Sequence, residues 1–218
     1  MLRVSDLNVA IGPVPIIRGA SLALNEGEFC GLIGRNGAGK TTLLRALMGA
    51  IPASGKAELD HVDLLALPPH RRVQHGIGYM PEDRRLVPEF TVEENIRLPT
   101  WTTKNRTTDI DAVEERLAWI FSIMPEVAAF RTRSSLALSG GQQKLAALAR
   151  ALMAGTRMLL LDEPFEGLAP ALARRLGEVM ASLKTEGLSI LITESNDGHV
   201  ADLLSRSFRI ERGAVSVM

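Results

Sequence analysis

Three short groups of residues have the types and spacing for chemistry on a phosphate chain. The first is Gly34-Arg35-Asn36-Gly37-Ala38-Gly39-Lys40-Thr41, a full match to G-x-x-x-x-G-K-[ST]. Its glycines let the backbone curl so that successive N–H groups face one anion, and a helix starting there adds partial positive charge. Lys40 is expected to reach the β and γ phosphates of a nucleoside triphosphate. The Thr41 hydroxyl is expected to ligate Mg²⁺, and Thr42 to touch a phosphate further back. The second group is Asp162-Glu163, at the end of the apolar run Met158-Leu159-Leu160-Leu161. Asp162 suits the organisation of Mg²⁺ beside a phosphate loop. Glu163 suits a general base that polarises an attacking water. The third is Leu138-Ser139-Gly140-Gly141-Gln142-Gln143. A serine N-cap followed by free N–H groups makes a second anion site at a helix start.

Such groups need elements to hold them. Phe29 to Ile33 is a short apolar run, as in a strand buried on both faces, and it leads straight into the first motif. Thr42 to Met48 has helical spacing, and Gly49 stands where a helix would stop. Met158 to Leu161 is a second buried strand, and Leu188 to Thr193 a third. Leu2 to Val9 and Ile16 to Leu24 read as strands around the breakers Gly12, Pro13 and Pro15. Residues 55 to 80 read as small strands and a short helix. Residues 84 to 137 read as a mainly helical insertion, with Val113, Leu117, Ile120 and Phe121 on one face of a helix and Thr100 to Thr108 as a polar loop. Gly140 to Met153 and Ala171 to Lys184 read as helices, His199 to Leu204 as a helical turn, and Phe208 to Val217 as a closing hairpin.

Composition narrows the function further. The chain has 218 residues, with 25 Lys plus Arg against 25 Asp plus Glu, so its net charge is zero. A generic electrostatic nucleic-acid binder carries a basic excess, so no nucleic-acid partner is expected. The single cysteine, Cys30, excludes an internal disulfide framework and reads as a small core hydrophobe. His61, His70 and His75 lack tight metal spacing. Arg71-Arg72 and Arg84-Arg85 read as a solvated face. No apolar run is long enough to span a bilayer and no signal peptide is evident, so a cytosolic chain is expected.

The Leu138–Gln143 stretch resembles the signature of the ATP-binding-cassette (ABC) ATPases, and the order of motifs along nearly the whole chain agrees. Phosphate loop, Tyr79-Met80-Pro81-Glu82-Asp83, signature, Asp162-Glu163 and Thr193-Glu194-Ser195-Asn196 follow one another as in those cassettes. The resemblance implies an α/β fold: a RecA-like core, a small antiparallel β-subdomain and the helical insertion, in one cassette over residues 1–218. It implies MgATP as substrate and cofactor. It also implies a second cassette, homo- or heterodimeric, whose γ-phosphate faces Ser139, Gly140, Gly141 and Gln142. Glu82 would touch Mg²⁺ or water. The segment after it would border the cleft for a permease helix, with Leu86, Val87, Phe90 and Ile96 as candidates for the lining or for core. The chain would then sit at the cytoplasmic face of the inner membrane through permease subunits, served indirectly by an extracytoplasmic solute-binding protein.

Within the family, Gly76 to Arg85, Phe90 to Asn95 and Asp162 to Pro170 resemble the importer ATPases for branched-chain amino acids and their urea or amide relatives. Three positions depart from the family pattern. Ile11 stands where an aromatic residue usually covers adenine. Ser195 stands in the switch position, where His or Gln usually reaches the γ-phosphate, and His199 lies four residues on. Phe165 stands where a small polar residue is commoner. A weakly hydrolysing regulatory cassette and a non-transport cassette protein therefore remain as alternatives.

Overall fold

A computed structural model describes residues 1–101 and 110–218. A six-stranded sheet forms the centre. It is built from β3 (Phe29–Ile33), β6 (Ile77–Met80), β7 (Met158–Asp162), β8 (Ser189–Glu194), β9 (Arg206–Glu211) and β10 (Ala214–Val217). Its order is β10-β9-β3-β8-β7-β6, parallel except for the edge strand β10. A second, antiparallel sheet has the order β2-β1-β4-β5, from β1 (Leu2–Ile11), β2 (Val14–Ala23), β4 (Ser54–Leu59) and β5 (Val62–Asp63).

The apolar runs behave as strands covered on both faces. Every residue of β7 and β8 is buried. Alternate residues point to opposite sides. Phe29, Leu159, Leu161, Ile190 and Ile192 enter one apolar cluster. Cys30, Leu32, Leu160 and Leu191 enter the other, beneath β1 and β2. Burial pushes the Cys30 thiol up to about 11, so it stays a neutral hydrophobe.

Helix α1 (Lys40–Leu47) follows the first motif, and Gly49 beyond it has the positive φ of 76° that suits a helix stop. Helix α2 (Pro69–Val73) lies before β6. Residues 84 to 137 contain α3 (Val92–Trp101), α4 (Ile110–Ile123), α5 (Pro125–Ala129) and a 3-10 turn at Ser135–Ala137. Of the expected α4 face, Leu117 and Ile120 are fully buried and Phe121 packs against the same cluster. Ile96 is core, while Leu86 packs on it only partly buried. Of the polar loop expected at Thr100 to Thr108, Thr100 and Trp101 belong to α3, and residues 102–108 lie outside the described residues. Helices α6 (Gly140–Ala154) and α7 (Pro170–Thr185) follow, and the turn after β8 ends in a 3-10 segment at Ala201–Leu203.

One expectation about charge fails. Arg72 is not on a solvated face but 5% exposed. Its guanidinium donates to the carbonyls of Ala46 and Leu47 at 2.7 and 2.9 Å, and to Leu67 at 2.9 Å. A helix leaves its last carbonyls unpartnered, and a cation there satisfies them and opposes the negative end of the dipole.

Candidate active site

The first motif leaves β3 and turns into α1. Ile33 pairs with Glu194, and the Gly34 N–H donates to the Glu194 carbonyl at 3.1 Å, so the loop departs from the carboxyl edge of the sheet beside β8. Gly34 admits no side chain, because a Cβ would overlap the Ile210 carbonyl. Gly39 has a φ of 113°, and a Cβ there would come within 2.7 Å of the Ile17 side chain. The back of the loop is pinned by the Gly213 N–H, which donates to the Ala38 carbonyl at 3.0 Å. Nothing caps α1 through a side chain, so its first N–H groups keep their donors for a ligand. Arg35, Asn36, Gly37 and Ala38 line a cavity of about 540 Å³ together with Ser195 and the Arg209–Arg212 segment.

Lys40 is 3% exposed. Its Nζ donates to the Gly34 carbonyl at 2.5 Å and the Arg35 carbonyl at 3.1 Å, and pairs with Glu163 Oε1 at 3.0 Å. A charge-assisted contact of this kind, held away from water, is stronger than a surface ion pair.

Asp162 is fully buried at the end of β7. Thr193 donates to its Oδ1 at 2.8 Å and Thr41 at 3.2 Å, while the Tyr79 hydroxyl donates to Oδ2 at 3.2 Å. Burial still pushes the Asp162 carboxyl up, the three hydrogen bonds opposing it. Burial and the neighbouring Asp162 push the Tyr79 phenol up as well. The oxygens of Thr41 and Asp162 are hard donors of the kind Mg²⁺ takes. That ion binds through one or two protein oxygens, with water and phosphate completing its shell. Among the described residues, no group of three or more His, Cys, Asp or Glu side chains forms a metal cage. The donor set fits a cation that arrives with a phosphate chain.

Glu163 has a φ of 47°, a left-handed conformation that costs a non-glycine residue on the order of 1–3 kcal/mol. Its N–H donates to the Thr193 carbonyl and hydroxyl, each at 3.1 Å. Ser195 Oγ lies 3.0 Å from Glu163 Oε2 and 2.8 Å from Asn36 Oδ1, so its single proton serves either oxygen. Short as it is, Ser195 touches the carboxylate directly. His199 is elsewhere: it is exposed, and its ring stacks on buried Phe165 at 5.5 Å between centroids. It sits in a turn rather than on a helix.

The third motif begins α6. Ser139 forms a capping box: its hydroxyl accepts from the Gln142 N–H at 3.3 Å, and its own N–H donates to Gln142 Oε1 at 3.0 Å. Ser139 and Gly140 are exposed. Further along, α6 holds two loops. Arg150 donates to the carbonyls of Arg84 and Arg85, and Lys144 to those of Glu163 and Glu166. Arg150 and Lys144 are both pushed down, chiefly by burial.

The structure thus gathers Gly34 to Thr41, Asp162, Glu163 and Ser195 into one place. Glu82 is exposed on the rim. Burial and the charges of Glu166, Glu163 and Asp162 push its carboxyl up, yet among the described residues no hydrogen bond or ion pair joins it to Thr41 or Asp162. Ile11 is 54% exposed and pairs with Val14 at the tip of the β1–β2 hairpin. Sequence reasoning missed the roles of Tyr79 and Thr193 around Asp162. It also missed Lys144, whose only signal was a lone cation immediately before the buried run Leu145 to Ala149.

A phosphate loop whose lysine meets a strand-end carboxylate, with a second carboxylate beside its threonine, defines a P-loop nucleoside triphosphatase. Residues 17–166 match the family model described as ABC transporter, and the chain belongs to that family. A probable ABC transporter ATP-binding protein of Azorhizobium caulinodans is 35% identical over 98% of this chain and 75% of its own length. The high-affinity branched-chain amino acid transport ATP-binding protein BraG of Pseudomonas aeruginosa is 32% identical over 99% and 91%. The lipopolysaccharide export system ATP-binding protein LptB of Haemophilus influenzae is 33% identical over 92% and 82%. Among solved structures, the ADP conformation of MJ1267, an ATP-binding cassette of an ABC transporter, superposes with a TM-score of 0.82. It is 26% identical, over 99% of this chain and 89% of that one. The chain is therefore an ATP-binding and ATP-hydrolysing subunit of an ABC transporter, with the α/β cassette fold its motifs implied. Among the described residues no helix is long and apolar enough to cross a membrane.

Proposed function

We propose that the chain, as one cassette over residues 1–218, hydrolyses MgATP at the Lys40–Glu163 site to power import of branched-chain amino acids. The observation that carries the chemistry is the meeting of Lys40 with Glu163 at 3.0 Å and of Thr41 with Asp162 at 3.2 Å on one sheet edge. The backbone N–H groups of Gly37 to Thr42 cradle the phosphates. Lys40 exchanges its two carbonyl partners and Glu163 for β and γ oxygens. Thr41 and Asp162 would hold Mg²⁺, with Glu82 as a further candidate contact to it or its water, and the ion would supply positive charge against the phosphates. Glu163, released from its cation, accepts a proton from water. The water oxygen bonds to the γ phosphorus as the bond to the β-phosphate oxygen breaks, giving ADP and phosphate. Ser195 steadies the Glu163 carboxylate in the switch position. Ile11 covers one face of the adenine by apolar contact.

The partners follow from the exposed second anion site. Ser139 and Gly140 face solvent at the start of α6, where the nucleotide on the phosphate loop of a second cassette supplies the anion. Permease subunits hold the pair at the cytoplasmic face of the inner membrane, and an extracytoplasmic solute-binding protein delivers the cargo. The cargo reading is supported by the near-complete coverage of BraG, against 92% and 82% for the export relative. It is tested in vesicles that contain the chain with its permease. ATP-driven leucine uptake and a hydrolysis rate per chain that rises with cassette concentration are expected. Hydrolysis without uptake of any branched-chain amino acid would refute the cargo, and a rate per chain independent of concentration would refute the second cassette.

A further inference from the structure

Lys144 is 6% exposed, at the head of a turn of α6 in which Leu145, Ala146, Ala147 and Leu148 are all buried too. An ammonium buried there loses its hydration and must find other partners. No carboxylate forms an ion pair with it among the described residues; the nearest charges that favour it are Glu166 and Glu194. What it touches is backbone. Its Nζ donates to the Glu163 carbonyl at 2.8 Å and to the Glu166 carbonyl at 2.5 Å. These two carbonyls bracket the loop that runs from the second carboxylate toward α7. Between them, Glu194 Oε1, at the end of β8, accepts the Phe165 N–H at 3.1 Å. Glu194 is itself 6% exposed, and no residue of the nucleotide cradle needs its side chain.

We propose that Lys144 is a positioning residue which, together with Glu194, clamps the Glu163–Glu166 loop and so holds Glu163 in the orientation that meets water. The need for a clamp lies in the backbone. A φ of 47° persists in a glutamate only where its surroundings over-determine it. Thr193 fixes the N–H side of Glu163, and Lys144 fixes the carbonyl side. Remove the ammonium, and the peptide after Glu163 is free to rotate toward the commoner right-handed region. The carboxylate then swings with it. Because Lys144 lies on the helix that Ser139 begins, the loop is referenced to the same element that presents the second anion site.

The proposal rests on Glu163 being the general base, and its test separates the two ideas. Turnover, KM and MgATP affinity are measured on the full chain in its transporter for Lys144→Met, Lys144→Gln and Glu163→Gln. Lys144→Met should lower kcat at least tenfold, with KM and ATP affinity changed less than twofold, since the phosphate cradle is untouched. Lys144→Gln, which keeps a shorter donor, should fall between it and the native chain. It also carries the test if the methionine variant does not fold. Glu163→Gln at native turnover would refute the base assignment. Glu163→Gln inactive beside Lys144→Met and Lys144→Gln at native turnover would refute the clamp alone. A Lys144→Gln chain whose affinity falls in step with kcat would also refute it, since that marks a general loosening of the site.

Discussion

Helices α1 and α6 both begin at glycine-rich segments, and they begin in opposite ways. Helix α1 has Gly39 at its N-cap and no side-chain cap, and its first residue, Lys40, is buried against Glu163. Helix α6 has Ser139 and Gln142 satisfying its orphan N–H groups reciprocally, and both Ser139 and Gly140 face solvent. One start keeps its donors free and carries a cation paired with a carboxylate. The other spends a donor–acceptor pair on itself and must give that up to serve a phosphate. In the proposed function the first binds the nucleotide by itself, and the second adds a smaller contact once a ligand is held elsewhere.

The sharpest break of this comparison is on the α1 side. Glu163→Gln keeps the shape but removes the carboxylate proposed to accept the proton. General bases contribute about 10²- to 10⁴-fold, so single-turnover hydrolysis should slow by that factor while ATP still binds. A rate within a few-fold of native would assign the proton transfer to another group. Lys40→Ala comes next. A hydrogen bond to a charged group is worth about 1.5–3 kcal/mol, so MgATP affinity by calorimetry should fall roughly 10- to 150-fold. Unchanged affinity would place the nucleotide away from α1.

How much of this contrast the sequence carried depends on how local each cause is. The phosphate loop, its strand and its helix are contiguous, so Phe29 to Leu47 was legible as a unit. The same holds for the capping residues Ser139 and Gln142, three positions apart. The strand Met158–Asp162 showed as an apolar run for the same reason. What surrounds Asp162 was not legible. Thr193 faces it because β8 pairs with β7 in the register Asp162 to Thr193, and Tyr79 approaches from β6 on the other side. Those contacts come from strand order, which sequence spacing does not encode. Arg72 misled because a charged pair on a short helix reads as surface, and only the packing of α2 against the end of α1 shows carbonyls that need a cation. Lys144 was overlooked for the converse reason: a cation beside an apolar run has no sequence sign that its partners are two carbonyls nineteen and twenty-two residues away.

The smallest expected effect tests the α6 side, and it does so with two readouts. Ser139→Ala removes the hydroxyl that accepts from the Gln142 N–H. Losing a serine cap typically costs about 1 kcal/mol, which in a domain of this size lowers Tm by roughly 2–4 °C. Affinity for MgATP should not change, because α1 and its lysine are intact. Hydrolysis in the assembled transporter should fall by about fivefold, the worth of one ordinary hydrogen bond, if the lost hydroxyl serves a phosphate held by the proposed partner cassette. A lowered Tm with native hydrolysis would make Ser139 a helix cap and nothing more. A fall in ATP affinity of the isolated chain would mean that both helix starts serve one nucleotide, and the division of labour between α1 and α6 would collapse.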